Sequence, residues 1–338
     1  MLAASASAPS ASPRTTNASL ARASSPRSRR ARAARAASSS TASTSTSARE
    51  TISGVGFSAA GFFFPYHLGV WETLVELGVM RAGETPCAGA SAGSLVAALH
   101  ACGKTPADGE RILRDVLRDC REKGVVGRVG GVLESALRRE LPSDAHVRCS
   151  RGNLFISVSS PKWASDEKGN GSFVLEGEII SRFDSYDDLI GAILASCHIP
   201  LYCGWAWRNY RGRPCVDGGW YDLAPRPLVD GRHLRVCAFP LLDAWHKAQP
   251  GDGKDSGDVF AQQASFWAGW GDDDKRGLLV APDSGGASVD WDFQDIGVMK
   301  YAFLPGDDKK LEEMVAMGRK DAIRWAMSAG YAKTTVLA

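Results

Sequence analysis

The sequence predicts an α/β fold, built as one large domain or two small ones, on three observations. Two successive units read as strand, loop and helix, over 52–77 and 85–102. A further short apolar strand, 234–239, follows a mixed run of strand-like and helix-like segments. Of the 338 residues, 44% are hydrophobic, which supplies a sizeable core.

Taken in order, residues 52–57 are short, apolar and punctuated by Gly54 and Gly56, as a buried strand requires. A Gly/Ala/Phe loop leads into a helix over 65–77. The second unit has an extended piece at 85–88, a Gly-flanked turn at 89–93 and a helix over 92–102 stopped by Gly103. Residues 106–140 read as two helices separated by Gly124, Gly127, Gly130 and Gly131, with charges on an exposed side and no evident catalytic content. Alternation at 153–160 and a strand at 172–175, with a polar turn over 162–171, predict a hairpin. Ser185 and Asp188 form an approximate capping box for a helix over 186–197, which Pro200 ends. Gly- and Asp-rich stretches at 251–258 and 271–286 read as surface loops. Finally, Leu311, Val315, Gly318, Ala322, Trp325 and Ala329 share one face of a closing amphipathic helix, with Asp307 and Asp308 at its start and Gly330 at its stop.

Residues 1–50 differ in kind. They are rich in Ser, Ala, Thr and Arg, with a single late acid, Glu50. That is the composition of a disordered transit peptide, and its Ser/Thr content favours a plastid over a mitochondrion as destination. The domain expectation is therefore a leader at 1–50, a catalytic domain at 51–240 and a C-terminal extension of loops and one helix at 241–338. The leader holds eight of the 40 basic and one of the 38 acidic residues, so 32 basic stand against 37 acidic in the remainder. A mildly acidic mature chain lacks the electrostatic footprint of a nucleic-acid binder. Eight cysteines without a CxxC pair or a metal-ligand cluster read as reduced core thiols, and no metal or organic cofactor is expected. No stretch reaches the roughly 18 apolar residues of a membrane span, so contact with a membrane or lipid-droplet surface would be peripheral.

The chemistry concentrates in Gly89-Ala90-Ser91-Ala92-Gly93, a G-x-S-x-G pattern. In such a turn the serine hydroxyl stands at a helix N-terminus, where the dipole and free N–H groups favour the negative charge of attack. Alone the pattern is weak, but here an extended piece precedes it and a helix follows. Asp217, opening Asp217-Gly218-Gly219, is the sharpest candidate for a base, set against the reading of a simple Asp-Gly turn. None of the six histidines lies in a Gly-rich loop suited to a triad. A hydrolase triad using Asp222 with His233 or His246 stays open as a minor alternative.

Residues 89–94 with Asp217-Gly218-Gly219 resemble the Ser/Asp dyad of the patatin-like phospholipases, most nearly the adipose triglyceride lipase and adiponutrin branch. The resemblance extends through residues 66–70, Leu141-Pro142 with His146, Phe183 with Ser185, 187–190, Ser196-Cys197, Ile199-Pro200 and Tyr202-Cys203-Gly204, covering about 52–240. It implies a three-layer α/β/α sandwich over a mostly parallel sheet, Ser91 activated directly by Asp217 without histidine, and a lipid substrate. Physically, such an aspartate has to lie within hydrogen-bond reach, with a pKa raised by burial. The family's glycine-rich G-x-G-x-x-G loop is replaced here by Ala59-Ala60-Gly61-Phe62-Phe63-Phe64. The expected oxyanion donors are then the N–H groups of Gly61, Phe62 and Ala92. Phe62, Phe63 and Phe64, with Trp205, Trp207 and Trp220, read as an acyl channel or an interfacial rim, or more simply as core. The expected activity is hydrolysis of acylglycerol, galactolipid or phospholipid esters through an acyl-serine. Acyl transfer to another lipid, or an inactive lipid-binding scaffold, are the alternatives.

Overall fold

In a computed structural model the described residues are 51–165, 171–239, 278–282 and 300–331. The leader at 1–50, the loop at 251–258 and most of the loop at 271–286 lie outside them. The centre is a six-stranded sheet of β1 (Ile52–Phe57), β2 (Cys87–Gly89), β3 (Leu154–Ser165), β4 (Gly171–Ile180), β7 (Arg232–Val236) and β8 (Leu279–Val280), in the order β4-β3-β2-β1-β7-β8. A separate small hairpin pairs β5 (Arg208–Tyr210) with β6 (Arg213–Cys215). All neighbours in the large sheet run parallel except β4, which returns antiparallel on β3. Helices flank this sheet in the α/β/α arrangement that the resemblance implies.

Parallel strands covered on both faces need continuous apolar runs, and Val55, Phe57, Cys87, Leu154, Ile156, Leu234 and Val236 are all fully buried. Register aligns the strand ends: Phe57 lies beside Gly89 and Val236, and Gly89 beside Ile156. The strands therefore end together, and the loops after β1 and β2 emerge side by side.

The helices are α1 (Phe64–Glu76), α2 (Ala92–Ala101), α3 (Pro106–Lys123), α4 (Val129–Glu140), α5 (Ala145–Cys149), α6 (Tyr186–Ser196) and α7 (Asp308–Ser328). Thr105 and Asp108 close a capping box on α3. At α6 the Ser185 hydroxyl accepts from Asp188 N–H, but the Asp188 carboxylate takes the N–H of Asp184 rather than that of Ser185. The expected box is only half formed. α7 buries Leu311, Gly318, Ala322 and Trp325 as its pattern requires, and Asp307 caps it through Lys310 N–H at 2.8 Å.

Three expectations are corrected. Gly130 and Gly131 lie inside α4 rather than before it, because the Cys203 carbonyl packs where a Gly130 side chain would stand, 2.3 Å from its Cβ position. The hairpin arms run well into the expected polar turn, since an antiparallel pair projecting beyond the core needs no apolar face. The strand after Val229 is not the last: Leu279–Val280, read as loop, adds β8 through Arg235 N–H to Leu278 O and Cys237 N–H to Val280 O. Two residues carry too little pattern to be read as a strand. All eight cysteines are free and buried. Among the described residues no helix is long and apolar enough to cross a membrane, and no cluster of His, Cys, Asp and Glu could hold a metal ion.

Candidate active site

Ser91 bridges the end of β2 and the start of α2, with φ of 51° and ψ of −125°. This is a sparsely allowed conformation for a residue with a Cβ, held by the surrounding packing. Two of its supports are absences of side chain. A Cβ on Gly89 would meet the Gly93 carbonyl group at 2.3 Å, and one on Gly93 would meet Phe57 O at 2.3 Å. Two hydrogen bonds clamp the backbone of the serine itself: Ser91 N–H donates to Ser196 Oγ at 2.9 Å, and Ser94 Oγ donates to Ser91 O at 2.6 Å. The β2–α2 turn thereby presents Ser91 at the helix N-terminus.

Asp217 reaches the same place by a tertiary route. On the edge of β3 that carries β2, pairing with β2 stops at Gly89 beside Ile156, and Val216 then takes over by an antiparallel bridge to Ser159. Val216 thus continues the line of β2 just past the turn that holds Ser91. The Ser159 hydroxyl donates to Asp217 O at 2.9 Å, that of Ser157 donates to Gly218 O at 3.1 Å, and Asp217 N–H donates to His198 O at 2.8 Å. Close packing dictates both glycines that follow, because a Cβ on Gly218 would lie 1.9 Å from Ser157 O and one on Gly219 2.6 Å from Ala59 Cβ.

The Asp217 carboxyl is buried, and desolvation pushes its pKa up from 3.8 to about 6. The Ser91 hydroxyl and the Gly219 N–H pull part of that rise back, the latter through a 2.8 Å bond to Oδ1. Among the described residues Oδ2 closes no well-formed hydrogen bond. A buried carboxyl of raised pKa that interacts with the hydroxyl of a strained serine is chemically able to accept a proton from it.

Ser91 opens onto an apolar cavity of about 100 Å³. Gly61, Phe62 and Ala92, the residues expected to supply oxyanion N–H groups, line the same cavity as Ser91, while Asp217 lies outside its lining. Gly61 has φ of 54°, and a Cβ there would stand 2.0 Å from Ala302 O. One glycine therefore survives in the loop where both conformation and space require it.

The family description "Patatin-like phospholipase" matches residues 57–229, over half of the chain. The chain belongs to the patatin-like phospholipase family. Its relatives include the human omega-hydroxyceramide transacylase, 30% identical over 180 residues, and the rat patatin-like phospholipase domain-containing protein 2, 32% identical over 178 residues. Each alignment takes in 50% of this chain, and the chain spans about a third of the length of these relatives, 31% and 34%. Among solved structures, VipD from Legionella pneumophila is similar at a TM-score of 0.43 and 13% identity, covering 82% of this chain and 67% of that one.

In this patatin-like chain none of the five described histidines is hydrogen-bonded to Ser91. His67 pairs with Ser58 O at 2.9 Å, His100 accepts from Trp71 Nε1, and His198 pairs with Trp205 O at 2.8 Å. Burial lowers the pKa of His67 and of His100 to about 4, so both are neutral core residues. His233 Nε2 has no hydrogen-bond partner among the described residues and is not joined to Asp222, and His246 lies outside them.

The aromatic residues divide. Phe62, Phe63 and Phe64 are buried, and Phe62 and Phe64 line the cavity, whereas Trp205, Trp207 and Trp220 are exposed, at 77%, 55% and 42%. The core reading fails for the three tryptophans. Residues 106–140, read as without catalytic content, supply much of the cavity wall through Ile112 and Leu113 on α3 and Leu133 and Leu137 on α4. Their apolar stripes were visible in the sequence as helical faces, but not the empty space that they enclose. Ser157 and Ser159, which hold the site together through backbone groups, carried no sequence signal, and Ser196 stood in the resemblance without any sign of its contact with Ser91.

Proposed function

We propose that this protein is a serine acyl hydrolase of lipid carboxylic esters, with Ser91 as nucleophile and Asp217 as base. The family membership supports lipid hydrolase or transacylase chemistry in general, and the site supports the dyad. The observation that carries it is a buried carboxyl of raised pKa interacting with the hydroxyl of a strained serine that lines an apolar cavity. Ser91 Oγ attacks the ester carbonyl while its proton passes to Asp217. The tetrahedral oxyanion is met by N–H groups of Gly61, Phe62 and Ala92. Collapse expels the alcohol, which takes the proton from Asp217 and leaves an acyl-Ser91 ester. Water then attacks this ester as Asp217 accepts its proton, and the fatty acid departs from a regenerated serine.

Transfer of the acyl group to a second lipid alcohol uses the same two half-reactions with the alcohol in place of water. Similarity to the omega-hydroxyceramide transacylase favours keeping this second reading. Product analysis with and without an acceptor alcohol separates the two. The rim of the cavity supports work at a lipid surface: Leu201 and Trp205 flank the lining residues Tyr202 and Cys203, and Phe303 and Leu304 follow Ala302, all four exposed.

Reaction of the full chain with a fluorophosphonate probe, alongside fatty-acid release from mixed lipids, tests the dyad. Wild type is expected to label and Ser91→Ala not at all, while Asp217→Asn should slow labelling by about 10²-fold or more, as for loss of a general base. A folded, lipid-bound wild type that never labels would leave the scaffold reading in its place.

A further inference from the structure

The cavity behind Ser91 has a direction and an end. Its lining follows one stripe on each of three helices: from Ala92 to Leu99 on α2, from Val116 back to Gly109 on α3, and from Val129 to Glu140 on α4. Contacts outside the stripes fix which ends meet. At the serine end, Gly130 packs on the Cys203 carbonyl, Gly127 N–H donates to Tyr202 O, and Ala302 sits on Gly61. At the other end, the Cβ position of Gly109 lies against Leu68 and Trp71 of α1 with Leu99 next at 3.8 Å, and Arg111 joins α3 to the last residue of α4 through a two-point ion pair with Glu140 at 2.5 and 3.1 Å. Arg139 also donates to Glu140, at 2.9 Å. The side chain of Glu140 is only 10% exposed, and it is the one carboxylate among the residues that line the cavity.

We infer that the cavity is a closed acyl chute whose floor is the Glu140–Arg111 pair, and that this floor selects medium-chain acyl groups. The inference rests on the reading of Ser91 as the acyl-accepting nucleophile. At about 1.5 Å per residue, the seven-residue steps on α2 and α3 run about 10 Å and the eleven-residue step on α4 about 16 Å. An extended hydrocarbon of ~1.5 Å bonds at ~111° advances ~1.25 Å per carbon, so the lining stripes are as long as a chain of about eight to thirteen carbons. The empty space between them is about 100 Å³, less than the roughly 150 Å³ that holds a benzene, so the side chains along the stripes have to part to admit such a chain. A longer chain would drive its terminal methyl groups against a hydrogen-bonded carboxylate, which apolar contact cannot compensate. Ala136 is buried on the α4 wall in the deeper half, where added volume shortens the chute.

The test is kcat/KM of the full chain on p-nitrophenyl butyrate, octanoate, laurate and palmitate in mixed micelles, with fluorophosphonate labelling run in parallel. Wild type is expected to peak at octanoate or laurate, with palmitate lower by about tenfold or more, as methylenes forced out of a pocket cost. Ala136→Leu moves the peak toward butyrate, and Glu140→Ala raises palmitate relative to laurate. Ala136→Leu leaves the ion pair in place and keeps the question answerable where loss of Glu140 unfolds α4. A wild-type optimum at palmitate, or folded and labelled variants that both keep the wild-type profile, would overturn the chute alone. An unlabelled wild type overturns the nucleophile reading and the chute with it.

Discussion

Burial of the Asp217 carboxyl pulls activity and stability in opposite directions. Acting as a base requires the ionised form, so kcat/KM should climb about tenfold per pH unit below pH 6 and level off above it, the acid limb reporting the raised pKa of the free enzyme. For stability the sign runs the other way. The folded-state pKa of about 6 stands above the unfolded value of 3.8, so the stabilising proton is fully bound below about pH 4 and is lost as pH rises through 6. Holding the charge above that range costs on the order of 3 kcal/mol. Asp217→Asn, which removes the charge and keeps the shape, should therefore raise Tm at pH 8 and leave it almost unchanged at pH 4. Equal Tm shifts at both values would mean that the carboxyl is not desolvated as described.

At the scale of elements, α1 and α7 meet backbone to backbone. A Cβ on Gly69 would lie 2.0 Å from Val315 O and one on Gly318 2.1 Å from Tyr66 O, so each helix places a glycine under the other's carbonyl. Tyr66 donates to the Asp321 carboxylate at 3.1 Å across the same contact, and Arg319 pairs with Glu72 at 3.0 Å. The helix carrying Gly69 leads directly out of the Gly61 loop, so the C-terminal helix braces the loop that borders Ser91. Gly318→Ala should cost about 1–3 kcal/mol in urea unfolding, the penalty of forcing volume into packed structure. Gly131→Ala is the control in a helix with open space, since a Cβ there has no neighbour within 4 Å. It should gain about 0.5–1 kcal/mol from helix propensity.

At the scale of the molecule, the apolar mouth and the apolar rim form one surface. Trp205, at 77% exposed, and Leu201, at 65%, stand on the loop that carries Tyr202, and the Tyr202 ring meets Phe303 edge-on at 5.9 Å. Dispersed apolar side chains need no explanation, but four grouped beside residues that line an apolar cavity mark a surface for apolar contact. Trp205→Ala should weaken binding to lipid vesicles by about tenfold, in line with the ~1.5–3 kcal/mol of burying one large apolar side chain. Hydrolysis of a water-soluble butyrate ester should be unaffected. A flotation assay paired with that ester decides it, because a variant impaired on both has lost structure rather than a docking surface.

The sequence by itself determined the class of fold, the order of its first two strand–helix units, the turn holding Ser91 and the apolar face of α7. Each of these is a local pattern, in which spacing and small residues dictate backbone path and burial. Asp217 taken alone reads first as an Asp-Gly turn and is singled out as a base only by the family resemblance, whereas its place past the end of β2 follows from the bridge between Val216 and Ser159. Only the tertiary structure decided that α3 and α4 enclose a cavity, that Ser196 and Ala302 support the serine and Gly61, that the three tryptophans face solvent and that β8 joins the sheet. The reason is physical: periodicity along a chain says which face of an element is apolar, but what that face meets depends on segments far away in sequence, and neither an empty space nor a two-residue strand leaves a periodic trace.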